Sequence, residues 1–110
     1  MTTDEINAKA EELTLREGVK VYPMIFPQAS GVDVVGYLKE PSRMTKIRVM
    51  DKAMSMPITA SYELFEACLL SGDSDAIFTS ERPEHDAFIL GATMAAYNLV
   101  IIAVDSYKKK

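Results

Sequence analysis

His85 is the only histidine of the chain, and it lies between two acidic residues, Glu84 and Asp86. Glu81 precedes it by four residues, about one helical turn, so an imidazole and a carboxylate could share a metal ion or a proton. No second histidine is available to complete such a site, and a charged segment of this kind is typical of an exposed helix start. We therefore expect no catalytic and no metal-binding residue. A small enzyme that uses the region of His85, Glu81 and Asp73 is the alternative.

Two other groups of residues could support chemistry. Cys68 falls on the apolar side of a predicted helix, and no basic residue nearby would lower its pKa, so we expect an inert core thiol. Asp73, Ser74 and Asp75 have the composition of a calcium loop but not the EF-hand spacing, which favours a solvated turn. Neither a P-loop nor a glycine-rich dinucleotide fingerprint is present, so we expect no cofactor.

A local basic cluster surrounds the predicted exit from a hairpin. It consists of Lys39, Arg43, Lys46, Arg48 and Lys52. Such a cluster could meet an acidic partner or a phosphate group, and the alternative is a solvated face without a partner.

Length and charge set the class of protein. The 110 residues predict one domain over residues 1–110, since two cores would each have too little apolar surface. Sixteen acidic and twelve basic residues give a net charge of −4, which disfavours a nucleic-acid partner. The polar, acidic start lacks the pattern of a secretory signal, so we expect a cytoplasmic location, in the host cell if the gene is carried by a phage.

Residues 88–104 form the one long apolar run. It is just shorter than the roughly 18–20 residues that a membrane span needs, and Gly91, Thr93 and Asn98 interrupt it. We therefore expect no membrane contact, with a membrane-attached protein that uses this run and the three terminal lysines as the alternative.

Caps, turns and periodicity predict an α+β fold in which three to four helices cover a small antiparallel β-hairpin, with a long apolar C-terminal helix. Thr2 and Glu5 have the spacing of a capping box, and Pro23 indicates an edge strand or a bulge. Ser42 and Ser80 are predicted to cap the second and the last helix. The predicted elements are a helix over residues 4–16 that is partly exposed and peripheral, strands over 19–26 and 32–38, helices over 42–54 and 59–70, and a last helix that begins after Ser80.

The last helix has two apolar stripes on opposite sides, which is more apolar surface than a domain of this size readily encloses. One stripe is Phe88, Ala92, Ala95, Leu99 and Ile102, and the other is Leu90, Met94, Tyr97, Ile101 and Val104. Either the helix is central and enclosed, or one side completes the core while the other docks onto a second chain. In the second case Gly91, Ala92, Ala95 and Ala96 would let a partner backbone approach closely.

The second helix has one apolar stripe, Met44, Ile47, Met50 and Met54, with Arg48 and Lys52 on the opposite side. Seven methionines in the chain suit a surface that binds varied partners, although methionine also fills gaps in cores. The predicted partner-binding residues are Leu90, Met94, Tyr97, Ile101, Val104, Met50 and Met54.

Two sequence segments carry a family resemblance. The segment VGYLKEPSR over residues 35–43, followed by a basic and apolar helix, and the segment YELFEACLLSGD over residues 62–73 resemble small proteins of tailed bacteriophages and prophages. The chain resembles their tail assembly chaperones, which are encoded near the tape-measure protein. The resemblance spans about residues 19–105, and the last helix is more apolar than that group leads one to expect.

The resemblance implies a non-enzymatic α+β protein that keeps a long helical tape-measure protein soluble until the tail tube assembles around it. The expected partner is therefore a helical, tape-measure-like protein, a second copy of this chain, or both, with a homo-oligomer expected. A structural virion component or an obligate homo-oligomer is the alternative.

Overall fold

The computed structural model describes residues 2–28 and 30–106, and it describes side chains only as far as residue 100 in the last helix. The elements are α1 (Thr3–Glu17), β1 (Val21–Phe26), β2 (Val34–Lys39), α2 (Arg43–Ala53), α3 (Pro57–Cys68), two short 3-10 turns (Ala76–Thr79 and Pro83–His85), and α4 (Asp86–Ser106). The two strands pair as an antiparallel hairpin, α1, α3 and α4 pack against it, and α2 packs on α3. This arrangement confirms the predicted α+β class.

Helix α1 has both of its ends fixed by local chemistry. The Thr2 hydroxyl accepts a hydrogen bond from the Glu5 amide, and the Glu5 carboxylate accepts one from the Thr2 amide, so the predicted capping box is present. Gly18 ends the helix with φ 76°, a conformation that favours glycine. The apolar stripe of Ile6, Ala10 and Leu13 is buried against one face of the sheet, which gives α1 a share of the core.

The hairpin pairs Val21 with Lys39 at one end and Phe26 with Val34 at the other. The far side of β2 is occupied by the loop after α3, because the amides of Leu70 and Asp75 donate to the carbonyls of Tyr37 and Val35, both at 2.9 Å. Strand β1 is the edge strand, as Pro23 predicted, and a proline there lacks the amide that another strand would need.

Two apolar clusters lie on the two faces of the sheet. Tyr37 and Val21 pack with α1 on one face, whereas Met24 and Leu38 pack on the other with the remaining helices. Gly36 permits the close approach on this second face, because a Cβ atom there would lie 2.8 Å from side-chain atoms of both Met24 and Phe78.

Helix α3 lies between α2 and α4, and it packs against both. Small residues bring α3 and α4 together, since Ala60, Ala92 and Ala96 are all buried in the same cluster. Gly91 lies against the ring of Phe26. Ala92 and Ala96 therefore serve internal packing, and the expectation that these two receive a partner backbone is wrong. Ala95, the fourth small residue named, is half-buried and packs against this core.

Two predicted helix starts also differ from the structure. Helix α4 begins at Asp86 rather than after Ser80, because Ser80 ends a 3-10 turn and a second turn follows. Helix α3 begins at Pro57, two residues before the predicted start, since proline fits the first turn of a helix. Over the described residues, no helix has the combination of length and hydropathy that crossing a bilayer requires.

Candidate protein-interaction surface

The residues that could have supported chemistry have structural partners. The Nδ1 atom of His85 lies 2.7 Å from the Ser80 hydroxyl, and Glu81 makes no hydrogen bond to it among the residues described. Among the side chains that the structure describes, no three of His, Cys, Asp or Glu come together in a way that could hold a metal ion. His85 thus links the two short turns that lead into α4.

The Cys68 thiol lies in the core between α3 and the sheet. Its residue is 2% exposed, and this burial raises the pKa of the thiol to about 11. A thiol with such a pKa is almost wholly protonated at neutral pH and is a poor nucleophile. This geometry agrees with the interpretation of Cys68 as a core residue.

The acidic turn after α3 builds the fold rather than a cation site. One Asp73 oxygen lies 2.7 Å from Nη2 of Arg16, and this hydrogen-bonded guanidinium lowers the pKa of the Asp73 carboxyl. The Ser74 hydroxyl accepts from the Tyr37 amide and donates to the Leu70 carbonyl. Asp75 caps the following turn by accepting from the Ile77 amide. Each side chain therefore has a role within the loop that covers β2.

The apolar stripe of helix α2 faces solvent. Its members are Met44, Ile47, Met50 and Met54, called here the α2 stripe, and all four are exposed. Met50 is 47% exposed and Met54 is 89% exposed, so neither is needed to complete the core. The stripe is an exposed set of large apolar side chains at helical spacing, the kind of surface that marks an interaction site.

Helix α2 is held to the domain by its other side. Val49 is buried, and Ala53 packs against the same cluster. On the rim, Lys52 Nζ lies 2.7 Å from a Glu63 oxygen on α3. An open groove of about 340 Å³ runs between the two helices, and it is lined by Thr45, Arg48, Val49, Lys52, Ala60, Glu63 and Leu64. Lys52, predicted on the side opposite the stripe, is half-exposed and forms a salt bridge with α3.

The apolar surface continues from α2 into the start of α3. Met56 and Ile58, on either side of Pro57, are both exposed. The predicted partner-binding residues include neither of them, nor Met44 and Ile47, although the methionines as a group were expected to suit a partner surface. The periodicity of α2 was a signal for its stripe, but Ile58 had none because the predicted helix began after it.

Helix α4 is neither enclosed nor evenly exposed. Its buried side consists of Ala92, Thr93, Ala96 and Val100, and Phe88, Ala95 and Leu99 are half-buried beside them. On the other side, Leu90 is 55% exposed and Met94 is 50% exposed, while Tyr97 is half-buried. Leu90, Met94 and Tyr97 are called here the α4 face. Ile101, Ile102 and Val104 are in α4 but outside the residues whose side chains the structure describes.

The predicted partner-binding residues therefore belong to two separate helices. Met50 is on α2 and Met54 is the C-cap residue of that helix, whereas Leu90, Met94 and Tyr97 are on α4. Helix α3 packs against both helices. The candidate site is a pair of apolar surfaces rather than one.

Comparison of the chain with models of protein families, with curated proteins and with solved structures gave no match.

Proposed function

We propose that this protein is a non-enzymatic binding module that holds an amphipathic helix of a partner protein against its exposed apolar surfaces. The resemblance to tail assembly chaperones supplies the partner class, a long helical protein of the tape-measure type that must be kept soluble before assembly. In this proposal the α2 stripe is the primary contact.

The exposure of the α2 stripe is the observation that carries the proposal. Four large apolar side chains repeat at steps of three and four residues, and all of them are directed away from the core that Val49 and Ala53 join. Burying a large apolar side chain completely contributes about 1.5–3 kcal/mol. Completing the burial of these four side chains would contribute several kcal/mol to the free energy of binding. The entropy lost on association offsets part of this contribution.

Methionine is the residue type that suits a binder of varied helices. Five of the six methionines with described side chains are exposed, and only Met24 is buried. The unbranched thioether side chain adapts its shape to different apolar partners at little strain. A chaperone that contacts many turns of a long helix needs this tolerance, because successive turns of its partner differ in sequence.

A second candidate function rests on the α4 face. Leu90 and Met94 expose apolar surface on a different helix, and a homo-oligomer could form by pairing these faces between copies. In that case α2 would bind the partner and α4 would bind a second copy. The two roles are separable because the two surfaces are on separate helices.

The proposal is tested by co-expression with a fragment of a tape-measure protein from the genome that encodes this chain. We expect the fragment to be soluble with the unaltered protein and insoluble with the Met50→Asp/Met54→Asp variant. Leu15→Asp is the matched control, since Leu15 is an exposed apolar residue of α1, remote in sequence from both surfaces. This control should keep the fragment soluble.

The α4 face is tested with Leu90→Asp/Met94→Asp. If this variant keeps the fragment soluble but lowers the mass found by light scattering, α4 serves self-association. If the unaltered protein leaves the fragment insoluble, or if the α2 variant works as well as the unaltered protein, the proposed function is wrong.

A further inference from the structure

The charges around the α2 stripe differ from those of the rest of the chain. Helix α2 contains four basic residues and one acidic residue, a formal charge of +3, whereas the other residues together carry −7 to give the total of −4. The exposed apolar stripe thus lies on the one helix whose charge is opposite to that of the molecule.

Basic residues border the stripe on both sides. At about 100° per residue, Lys46 and Arg48 border the stripe on its two sides, and Arg43 falls within it, in line with Met50. Lys52 lies farther round the helix, toward its partner Glu63 on α3. Asp51 is the one carboxylate of the helix, and it is exposed within the stripe, between the lines of Met44 and Ile47.

Two of these four cations are already paired. Lys46 forms a salt bridge with Glu40, and Lys52 forms one with Glu63. Arg43 and Arg48 are exposed and form no salt bridge with any residue in the described parts of the chain. One of these guanidinium groups is therefore available in line with Met50, and the other at the border of the stripe beside Met44.

We propose that the α2 stripe takes an acidic amphipathic helix, in which one apolar stripe is flanked on both sides by Asp or Glu. This inference rests on the proposed function and adds the chemistry of the partner. The apolar side chains of the partner would pack on Met50 and its neighbours, while its carboxylates would accept hydrogen bonds from Arg43 and Arg48, a geometry that guanidinium groups favour. From Met44 to Met54 the stripe is about 15 Å long, which matches about three turns of a partner helix.

Charge also selects the site on this protein. A helix rich in carboxylates is repelled by a surface whose net charge is −7 and is attracted only near α2, so it is steered to the stripe. A basic helix would be attracted to the molecule as a whole but repelled at the stripe. The total charge of the molecule therefore predicts tighter binding of a basic helix, whereas the charge of α2 predicts tighter binding of an acidic helix. A binding experiment can distinguish these two predictions.

The experiment compares two labelled synthetic helices of about 20 residues. Both have the same leucine stripe, and the flanking positions are all Glu in one and all Lys in the other. Fluorescence anisotropy with the full chain at 50 mM salt should show that the Glu helix binds at least about tenfold more tightly. This ratio should fall as salt rises to 500 mM, because exposed charge pairs are screened.

Two double variants locate the effect. Arg43→Glu/Arg48→Glu should remove or invert the preference for the Glu helix. Lys20→Glu/Arg82→Glu changes the net charge by the same amount at exposed positions outside α2, and it should keep the preference. Circular dichroism should show that both variants are folded, since all four substituted side chains are exposed.

The outcomes distinguish the two proposals. Equal binding of the two helices, or tighter binding of the Lys helix, overturns the acidic partner and leaves an apolar binding site. No binding of either helix overturns the proposed function as well. If light scattering shows a dimer that the Arg43→Glu/Arg48→Glu variant dissociates, the stripe is occupied by a second copy, and the assignment of an acidic partner helix is wrong.

Discussion

Helices α1 and α2 flank the hairpin in the sequence, and each has one apolar stripe at helical spacing. The stripe of α1, Ile6, Ala10 and Leu13, is wholly buried against the sheet. All four members of the α2 stripe are exposed, although they are larger and more numerous. An apolar stripe thus identifies a helix, but it does not identify the side of the helix that faces the core.

The surroundings of the two helices explain this difference. Helix α1 is the only described helix on its side of the sheet, so its stripe must cover that face. Helix α2 lies beside α3 at the margin of the larger cluster, where Val49 and Ala53 are enough to hold it. Its larger apolar residues are therefore free for another role, and we expect the two stripes to differ in their contribution to stability as they differ in exposure.

The largest effect is expected from a matched pair of substitutions at adjacent positions of α2. Val49→Asp would place an unpaired carboxylate in the core and should lower the free energy of unfolding by about 4 kcal/mol or more. Met50→Asp places the same group in water and should change it by about 0.5 kcal/mol or less. Urea unfolding followed by circular dichroism measures both. Similar losses in the two variants would mean that the α2 stripe is part of the core.

The next largest change in stability is expected from substitutions that compare the α1 and α2 stripes directly. Ile6→Ala removes a fully buried side chain from α1 and should lower the free energy of unfolding by about 2–5 kcal/mol. Met54→Ala removes a side chain that is 89% exposed and should be close to neutral. A stable Ile6→Ala variant would show that α1 contributes little to the core, as a peripheral first helix would.

The sequence predicted the local elements well because their signals are local. The Thr2–Glu5 capping box, the Ser42 cap and the edge-strand proline Pro23 are all present in the structure, and the Ser42 hydroxyl accepts from the Thr45 amide as a cap should. Ser80 was misassigned because a serine before acidic residues also fits a chain of short turns. Its hydroxyl accepts from the Arg82 amide and not from the first turn of α4.

The sequence predicted less about the candidate site, because exposure depends on tertiary contacts. The two stripes of α4 differ by about 200°, and sequence alone gave no reason to choose between them. The structure buries a side that includes Ala92 of the first expected stripe but continues through Ala96 and Val100, which belong to neither stripe, because small residues let α3 approach. In α2 the core contact likewise depends on Val49 and Ala53 rather than on the largest residues.

The smallest effect on stability is expected from the salt bridge that fixes the C-terminal end of α1. Arg16 on α1 binds Asp73 in the loop that covers β2, and this hydrogen-bonded guanidinium lowers the pKa of the Asp73 carboxyl. A lowered pKa in the folded state stabilises the fold above the unfolded pKa, near 4, and this stabilisation disappears as the pH falls through the folded value.

Asp73→Asn should therefore lower the stability slightly at pH 7, and the difference from the unaltered protein should shrink as the pH falls below about 4. The Arg16→Gln background is the control, because without the guanidinium the same Asp73 substitution should produce little pH-dependent difference. Urea unfolding midpoints of the unaltered protein, the two single variants and the double variant, taken at pH 7, 4 and 2.5, measure both effects. An Asp73→Asn effect of the same size at all three values, or one that persists in the Arg16→Gln background, would show that Asp73 stabilises the loop by means other than its charge, and that α1 is fixed to the domain by its buried stripe alone.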